Sequence, residues 1–563
     1  AEEYPSRLYH PFTLSRPTLQ RRQGLGPRAR ACVGQLGTRL RSPHLEALAA
    51  AFEDLTHPNL RLKDEMDQVL GLLREGKVDK AAAAYVGGTG WMREGGRGRL
   101  LSDFAKKFLD KMDALCGRTG EKLRGYAGAG AAALAREVSE LSGQWRQWVS
   151  LWEQGHAAER ERLSTFSPFL ASYHAADEAR GGTLDALELP AASDADADPS
   201  RLGRVVAHSF GGALPTMESL RRPKRLTVHG SDARERRYLV KGGEDLRQDQ
   251  RVQQLFRVVN SVLAADGQCA ARGLAMRTYA VLPLNDRVGL IEWVDGTSTL
   301  LGLIRRADRA GARAAGPAGL AGRARTPASA LDQADARFRD DSLKPAKGLP
   351  RWLAMPSREA VDMLDRAHAA VPSDLLARGL LSLSVGAEAM LAVRSAFARS
   401  LAALTIAGHV LGIGDRHLDN FLVEEATGRV VGIDFGHAFG SATYLLPQPE
   451  LVGVRLTRQI TSVLRPLDAG VLLKAQMSHV LRALRAARDE LLRVMDVFIS
   501  EPQIDWAKHA KKLSAEQRRH VEEASGGDAG GGEAAAGGSA GQPGSGSANA
   551  AEAAEAAWVR SRL

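Results

Sequence analysis

The sequence contains only three cysteines in 563 residues, Cys32, Cys116 and Cys269. Their spacing fits neither a metal-binding motif nor a disulfide framework, so we expect a reducing intracellular compartment. The chain does not open with a basic segment followed by an apolar one, which predicts that it has no secretory signal peptide. The longest apolar run, 401–413, is too short to cross a bilayer and contains His409. We therefore expect a soluble protein with no membrane partner.

Aromatic residues are also scarce, at 5% of the chain, whereas alanine and glycine are abundant. This composition predicts that helices dominate outside any catalytic core. The hydrophobic share of 44% and the charged share of 25% are ordinary for a globular protein. The net charge of +10 is modest for this length and favours a general basic surface over a dedicated nucleic-acid site.

The pattern of the chain changes near residue 205. Before it, residues 1–60 are basic and are predicted to form loops and helix ends, and residues 61–204 are mainly helical with a polar linker over 170–204. The glycine-rich stretch GGTGWMREGG does not follow a strand, so we interpret it as a connector and not as a phosphate loop.

Residues 205–300 contain short β-rich runs, RLTVHG, RRYLVK, RTYAVLPL and RVGLIEWV, around one amphipathic helix. They predict an α+β module with a small sheet. Residues 301–513 return to helices, with a loop–strand–loop segment over 412–455 and an insert or long loop at about 305–347. The tail 514–563 is of low complexity and is predicted to be disordered.

The segment LGIGDRHLDNFLVEEATGRVVGIDFGHAF brings together the side chains that phosphoryl transfer requires. Asp415 precedes Asn420 by five positions, and Asp434 follows fourteen positions later in an Asp-Phe-Gly triplet. One carboxylate can accept the proton of an attacking hydroxyl, while an amide oxygen and a second carboxylate can bind Mg²⁺. The spacing of Asp415 and Asn420 matches the catalytic loop of kinases, and the whole set is hard to obtain by chance.

The order Asp-Arg-His reverses the usual His-Arg-Asp, so His417 follows the predicted base. It could donate a hydrogen bond to the transferring phosphate, assist the proton transfer, or be a structural loop histidine. A cation for the ATP phosphates is also needed, and Lys241 at the end of the run RRYLVK occupies a suitable position. Glu244 and Asp249 are both candidates to position Lys241, and the sequence does not choose between them.

The expected G-x-G-x-x-G loop is missing before the lysine strand. Instead, Ser219 and the main-chain N–H groups around Arg221 could bind phosphates as a nest does. The run GLIEWV could be the hinge between two lobes, with main-chain hydrogen bonds to adenine at Glu292 and Val294. Trp293 would then pack on adenine, although a core tryptophan in a strand is an equally good interpretation.

Five segments together identify a family: KGGEDLRQDQRVQQLF, GLIEWV, GIGDRHLDNFLV, GIDFGHAFGSATYLLPQPELVGVRLTRQI and MDVFISEPQIDW. They resemble segments of the phosphatidylinositol 3-kinase-related protein kinases, over about 205–513. The resemblance implies an α+β bilobal kinase fold with an all-helical N-terminal extension. It implies a FAT-like end over 1–60, an FRB-like segment over 61–204, an N-lobe over 205–300 and a C-lobe over 301–513, and no FATC segment is recognisable in 514–563.

The resemblance also implies functional assignments. Asp415, His417 and Asn420 would act in catalysis, Asp434 would bind Mg²⁺ with Asn420, and Lys241 would contact ATP; Mn²⁺ could replace Mg²⁺. Asp249 and Tyr279 would line the pocket behind adenine. Substrates would be Ser or Thr residues of proteins, in DNA-damage members those followed by Gln. One member of this family acts in the nucleus, where it repairs double-strand breaks by non-homologous end joining. Resemblance to that member implies the Ku heterodimer and DNA ends as partners, which would bind through regions beyond this chain.

Two alternatives are a phosphoinositide lipid kinase and an inactive scaffold. An inositol phosphate head group needs clustered lysine or arginine, but residues 437–454 contain neither. This favours a protein substrate. The predicted metal ligands and Lys241 argue against a scaffold, whereas the absence of a recognisable FATC segment keeps that alternative open.

Overall fold

The computed structural model describes most of the segments that bear on the predicted site. The described residues are 31–32, 35, 43–56, 58–93, 121, 123, 162–174, 187, 189, 205–217, 222–243, 245–285, 287–314, 329–343, 345–346, 349–350, 355–446, 450 and 453–499. They divide into two compact units. The first comprises described residues up to Gln250 together with Tyr279–Trp293, and the second comprises Arg251–Thr278 and described residues from Val294 onward.

Helices come first along the chain. They are α1 (Pro43–Glu53), α2 (Pro58–Arg74), α3 (Val78–Arg93) and the short α4 (Leu163–Phe166) and α5 (Pro168–Ala171). The glycine-rich connector was predicted wrongly, because α3 continues through its first residues to Arg93. Glycine costs only about 1 kcal/mol per position in a helix, so the run AAAAYV before it can sustain the helix through these residues.

The polar linker predicted over 170–204 also differs from the structure at its described positions. Leu187 and Leu189 are buried in the core of the first unit. Their main chains pair with the strand region that follows: Leu189 N–H donates to Val205 O and Ala207 N–H donates to Leu187 O, both at 2.9 Å. Two leucines two positions apart in a polar stretch are too few to show a periodic pattern, so the sequence did not predict that they are buried.

The elements from residue 207 to residue 292 alternate between strands and helices. They are β1 (Ala207–Phe210), β2 (Lys224–Gly230), β3 (Glu235–Gly242), α6 (Arg247–Ala265), α7 (Gly267–Ala271), β4 (Val281–Pro283) and β5 (Val288–Glu292). The strands form one antiparallel sheet in the order β1-β2-β3-β5-β4. In β2, residues alternate between buried and half-buried, as a strand with one face on a core requires.

The amphipathic helix predicted in this region is α6. Its buried apolar side chains recur at helical spacing and are listed here: Val252, Leu255, Phe256, Val259 and Leu263. The observed strands and helix confirm the predicted α+β content.

The second unit contains most of α6 and all of α7. From Val294 onward it continues with β6 (Thr297–Thr299), α8 (Leu300–Ala314) and α9 (Ala330–Leu343), followed by the two-residue strands β7 (Pro345–Ala346) and β8 (Leu349–Pro350). The sequence left an insert or a long loop open for about 305–347. The long loop is wrong for 305–314 and 330–343, which are helical, and the insert stays a prediction. Pro317 and Pro327, which suggested a loop, both fall between these helices. The apolar residues that begin α8 give it a buried face that the alanine-rich composition concealed.

The rest of the second unit comprises α10 (Ser357–Ala370), α11 (Leu375–Leu383), α12 (Ala387–Val410), a 3₁₀ turn (Leu418–Asn420), β9 (Phe421–Glu424), β10 (Val430–Gly432), α13 (Ala442–Leu445), α14 (Arg458–Leu464), α15 (Ala469–Ala486) and α16 (Arg488–Ile499). Strand β9 lies between β10 and β6 in a second antiparallel sheet. The domain boundaries proposed from the sequence remain predictions.

Helix α12 is the central element of the second unit. Eleven of its residues are buried, among them Phe397, Leu401 and Ala403, and it packs against α15 and β10. Among the described residues, it is also the one helix long and apolar enough to cross a membrane, but half of its most apolar window is buried in the protein. Burial against α15 and β10 accounts for its apolar composition.

Candidate active site

Lys241 lies near the end of β3, with 9% of its surface exposed. Its main chain pairs with Gly289 of β5. The next residue, Gly242, packs so closely on Thr56 that a Cβ atom at Gly242 would lie 1.9 Å from Thr56 Cγ2. A buried ammonium is unfavourable without compensating negative charge, so this position suits a lysine that contacts an anion.

Two further predicted residues lie in the same unit as Lys241. Asp249 in the first turn of α6 is 4% exposed, and Tyr279 just before β4 is also buried. A buried carboxylate, like a buried ammonium, requires a partner of opposite charge or several hydrogen bonds. Asp249 is thus buried in the same unit as Lys241, whereas Glu244 lies outside the described residues, and the choice between them stays a prediction.

Ser219 and Arg221 also lie outside the described residues, but the base of their loop is described. Thr216 and Lys224 form an antiparallel bridge there, and Met217 N–H donates to Pro223 O at 2.9 Å. The Lys224 side chain is fully buried: its Nζ donates to Thr216 Oγ1 at 3.2 Å and lies 4.1 Å from the centre of the Phe166 ring. Thr216 and Lys224, which flank the loop expected to bind phosphate, are thus paired with each other.

The segment predicted as the hinge, residues 289–294, covers most of β5 and the two residues after it. Glu292 N–H donates to Ala280 O, and Glu292 Oε2 accepts the Ala280 N–H, both at 2.8 Å. The Glu292 N–H is therefore committed to the sheet, so a hydrogen bond from this residue to adenine would have to use its carbonyl. Val294, in the second unit, uses its carbonyl to accept Thr297 Oγ1 at 2.8 Å, and its N–H is the group that fits the prediction.

Trp293 is half-buried and not a core residue. Its main-chain N–H donates to Arg237 O at 2.9 Å, and the Arg225 guanidinium lies 5.3 Å from the centre of its ring. One face of the ring thus carries a cation–π contact. Packing of adenine on Trp293 stays a prediction.

Tyr238 is buried on β3 opposite Glu292. Burial raises the pKa of the Tyr238 hydroxyl above its usual range, and the negative charge of Glu292 raises this pKa further. Tyr238 therefore stays neutral at physiological pH, where the hydroxyl can act as a hydrogen-bond donor.

The catalytic-loop residues follow the end of α12. Gly412 has a φ of +60°, and Ile413 N–H donates back to Gly408 O at 2.8 Å, so the helix ends with a left-handed glycine. Asp415 has a φ of +55°, which is rare for a residue other than glycine. Asn420 is 5% exposed, and its Nδ2 donates to the Asp415 carbonyl at 2.7 Å. The predicted base and the predicted metal ligand are therefore joined directly.

Asp434 is joined to the same loop by main-chain contacts. Ile433 N–H donates to Asn420 O at 3.1 Å, and Gly414 N–H donates to His437 O at 2.9 Å. Asp434 itself has a φ of +56°. These contacts place the segment that carries Asp434 next to the loop that carries Asp415 and Asn420, and the roles of the three residues stay predictions.

Arg416 was not predicted as a site residue. Its Nε donates to Gly414 O and one terminal nitrogen to Ile433 O, both at 2.9 Å, while the other terminal nitrogen donates to Asp434 O. Its guanidinium also lies 5.2 Å from the centre of the Phe435 ring. Arginine suits this role because its donors form a rigid fork. Its position between Asp415 and His417 was the only feature of the sequence that could have indicated a role for Arg416 in the site.

His417 precedes the 3₁₀ turn and caps it, because its Nδ1 accepts the Asp419 N–H at 3.2 Å. When the ring is neutral, Nδ1 acts as the acceptor and the proton resides on Nε2. The exposed ring can then offer Nε2–H as a donor. This geometry favours a hydrogen bond to phosphate over proton abstraction, and it also gives His417 a structural role.

Asn420 and Asp434 each carry a side-chain oxygen of the kind that Mg²⁺ prefers, so they are the residues that could hold the cation. Because Asn420 Nδ2 is bonded to the Asp415 carbonyl, the amide oxygen is the atom that can bind a cation. Mg²⁺ usually takes one or two protein ligands and completes its coordination with substrate phosphates and water. Phe435, between Asp434 and Gly436, is fully buried and packs edge-on against Phe256 of α6 at 5.3 Å.

The chain is similar to several known proteins. Residues 235–508 match the family of phosphatidylinositol 3- and 4-kinases. The DNA-dependent protein kinase catalytic subunit of Dictyostelium discoideum is 35% identical over 536 residues, covering 92% of this chain and 12% of that protein. The corresponding subunit of Gallus gallus is 34% identical, covering 90% of this chain and 12% of that protein. The serine/threonine-protein kinase TOR of Arabidopsis thaliana is 30% identical, covering 54% of this chain and 11% of that protein.

The chain thus spans about 12% of the length of the DNA-dependent protein kinase subunits that it matches. The match includes both Lys241 and the segment from Asp415 to Asp434, and it confirms the predicted kinase-type α+β fold. Through residues 235–508 the chain is similar to the phosphatidylinositol 3- and 4-kinase family, and over most of its length it is similar to the catalytic subunits of DNA-dependent protein kinases.

Proposed function

We propose that this chain carries the catalytic domain of a serine/threonine protein kinase, which transfers the γ-phosphate of ATP to a protein hydroxyl. The observation that carries the proposal is that Asn420 contacts both Asp415, through its Nδ2, and Ile433, the residue before Asp434, through its carbonyl. A phosphoryl-transfer site needs a base for the hydroxyl and oxygen ligands for a divalent cation in one place. These three residues supply both.

Each residue has a defined task in this proposal. Asp415 orients the substrate hydroxyl and accepts its proton, while Asn420 and Asp434 hold Mg²⁺, or Mn²⁺, through oxygen atoms. The cation neutralises phosphate charge when it is bound. Lys241 contacts the ATP phosphates and Asp249 positions Lys241. His417 donates Nε2–H to the transferring phosphate.

The nucleotide-binding part of the proposal includes the remaining predicted residues. The Glu292 carbonyl and Val294 N–H would bind the adenine edge, Trp293 would pack on adenine, and Tyr279 would line the pocket behind it. The loop carrying Ser219 and Arg221 would bind phosphates through its main chain. Glu244 would have no required role if Asp249 positions Lys241.

A protein substrate is favoured over a phosphoinositide by the segment after Asp434. Residues 437–454 contain no lysine or arginine, and the first cation beyond them, Arg455, lies 4.0 Å from Glu450. A highly charged inositol phosphate would need several cations directed toward it. Hydroxyl groups of Ser or Thr in an extended peptide have no such requirement.

The similarity to DNA-dependent protein kinase subunits extends the proposal to biology. We propose Ser/Thr-Gln sites as substrates, the nucleus as the compartment, and DNA repair by non-homologous end joining as the process. The Ku heterodimer and DNA ends would be partners through parts of the protein beyond this chain.

Turnover measurements test the proposal. The chain is incubated with Mg-ATP and either a Ser-Gln peptide or phosphoinositide vesicles, and the Asp415→Asn variant is the matched control. We expect phosphopeptide from the wild-type chain and a loss of at least 1,000-fold in Asp415→Asn, because ~4 kcal/mol of barrier lowering is typical of a positioned base. Phosphorylation of lipid alone would make the chain a lipid kinase. No turnover by the chain or by the assembled full-length protein would support a scaffold.

A further inference from the structure

Glu450 lies far from the catalytic loop in sequence but contacts it directly. Its carboxylate Oε2 accepts the main-chain N–H of Asp415, and its own N–H donates to Ala442 O at 3.3 Å. Glu450 follows Asp434 by sixteen positions and belongs to the segment 437–454, which lacks lysine and arginine and in which a protein substrate is expected. A side chain of that segment is therefore bonded to the residue proposed as the base.

The main chain of Asp415 is held by side chains on both sides. Glu450 accepts its N–H, and Asn420 Nδ2 donates to its carbonyl at 2.7 Å. Asp415 has a φ of +55°, a left-handed conformation that persists only when the surroundings impose it. Because the direction of the Asp415 carboxylate depends on this conformation, Glu450 helps to set it.

The contact between the two segments is tight. A Cβ atom at Gly414 would lie 2.1 Å from Ala442 Cβ and 3.1 Å from Glu450 Oε2. Only glycine at position 414 allows α13 and Glu450 to approach this closely. The other carboxylate oxygen, Oε1, lies 4.0 Å from the exposed guanidinium of Arg455. The two oxygens thus face different partners, and Oε2 is the one directed to the catalytic loop.

We propose that Glu450 is a positioning residue that couples the segment after Asp434 to the orientation of Asp415. The inference rests on the proposed function, since Asp415 is taken to be the base. Displacement of Glu450 would release the Asp415 N–H and let the base leave its left-handed conformation. The order of the segment that receives the substrate then determines whether the base is correctly oriented.

Kinetics on three variants test the proposal. Glu450→Ala removes the acceptor, Glu450→Gln keeps an amide oxygen that can accept the same N–H, and Arg455→Met removes only the exposed ion pair. We expect Glu450→Ala to lower kcat on a Ser-Gln peptide by at least tenfold while the KM for ATP changes less than twofold. We expect the kcat of Glu450→Gln to stay within about threefold of the wild-type value. The kcat of Arg455→Met should equal the wild-type value. Equal damage in Gln and Ala variants would overturn the proposal, as would wild-type kcat in the Ala variant.

Hydrogen exchange provides a readout that needs no activity. Peptides covering 412–420 should exchange faster in Glu450→Ala than in wild type or Glu450→Gln, while peptides from β2 and β3 should be unchanged in all of them. Unchanged exchange over 412–420 in Glu450→Ala would overturn the proposal. If Glu450→Ala shows the faster exchange over 412–420 but the wild-type chain phosphorylates no substrate, the contact between Glu450 and Asp415 is supported and the proposed function fails.

Discussion

Arg416 contacts both loops of the candidate site through a single side chain. Its guanidinium donates to Gly414 O before Asp415, and to the carbonyls of Ile433 and Asp434 on the other loop. Asp434 has a left-handed conformation, which costs about 1–3 kcal/mol and must be imposed by contacts. Arg416 is therefore well placed to fix the main chain that carries the metal-binding carboxylate.

Replacing Arg416 by Lys should weaken both catalysis and metal binding. Lysine keeps the charge but cannot donate to three carbonyls in a fixed fork, and each hydrogen bond to a charged group contributes about 1.5–3 kcal/mol. We expect a fall in kcat of roughly 10- to 100-fold and a higher Mg²⁺ concentration for half-maximal rate. Titration of Mg²⁺ in a peptide kinase assay measures both.

The control is Arg429→Lys, because Arg429 is exposed in the turn after β9. Its main chain accepts the Glu424 N–H and donates to Thr427 Oγ1, and both hydrogen bonds are kept in the variant. It should behave as wild type. An unchanged Mg²⁺ dependence in Arg416→Lys would contradict the role assigned to Arg416.

At the scale of elements, the core helix α12 supports the hairpin that connects the two loops of the site. Ser400 on α12 is buried; its hydroxyl donates to Ala396 O at 2.7 Å and accepts the Val430 N–H at 2.8 Å. Gly428, with a φ of +78°, approaches so closely that a Cβ atom would lie 2.7 Å from Val393 O. The hairpin β9–β10 is thus fixed to the helix that also leads into Asp415.

Ser400→Ala should destabilise the chain by about 1–3 kcal/mol, because the buried Val430 N–H would lose its acceptor. Thermal or urea unfolding of the variant measures this. Ser478→Ala on α15 is the matched control, since the Ser478 hydroxyl donates in the same way to Lys474 O at 2.8 Å but is exposed. It should change stability by less than about 0.5 kcal/mol. Equal losses of unfolding free energy in the two variants would show that the hydrogen bond to Val430 does not stabilise the chain.

At the scale of the whole molecule, the proposed ATP contacts and the proposed chemistry lie on different units. Lys241 belongs to the first, whereas Asp415, Asn420 and Asp434 belong to the second. The proposed function assigns the ATP phosphates to Lys241 of the first unit and the cation to Asn420 and Asp434 of the second. The base, in contrast, should matter for turnover and not for nucleotide affinity.

Thermal stabilisation by Mg-ATP tests this division. A ligand at 100 times its Kd stabilises a folded protein by about 2.7 kcal/mol, and we expect the wild-type chain and Asp415→Asn to show such a shift. Lys241→Met should abolish it, as should chelation of Mg²⁺ with EDTA. Lys77→Met is the control, because Lys77 is exposed and pairs with Glu75 at 2.7 Å in the turn after α2. A full shift in Lys241→Met would remove Lys241 from the nucleotide site.

Local pattern predicted part of the architecture correctly. The alternation in β2 and the helical spacing of apolar residues in α6 are properties of consecutive residues, so the sequence alone revealed them. The helical ends of α3 and α8 were missed because glycine and alanine give weak periodic signals. The burial of Leu187 and Leu189 was missed because it arises from pairing with Val205 and Ala207.

The sequence by itself determined which residue types could perform the chemistry. The spacing of Asp415, Asn420 and Asp434 was enough, because the kinase catalytic loop requires those groups at that separation. Only the tertiary structure decided what holds them. Arg416 reaches carbonyls seventeen and eighteen positions away, and Glu450 reaches Asp415 across thirty-five. No local periodicity encodes such contacts, because they arise only after α12, the hairpin and α13 have packed against one another.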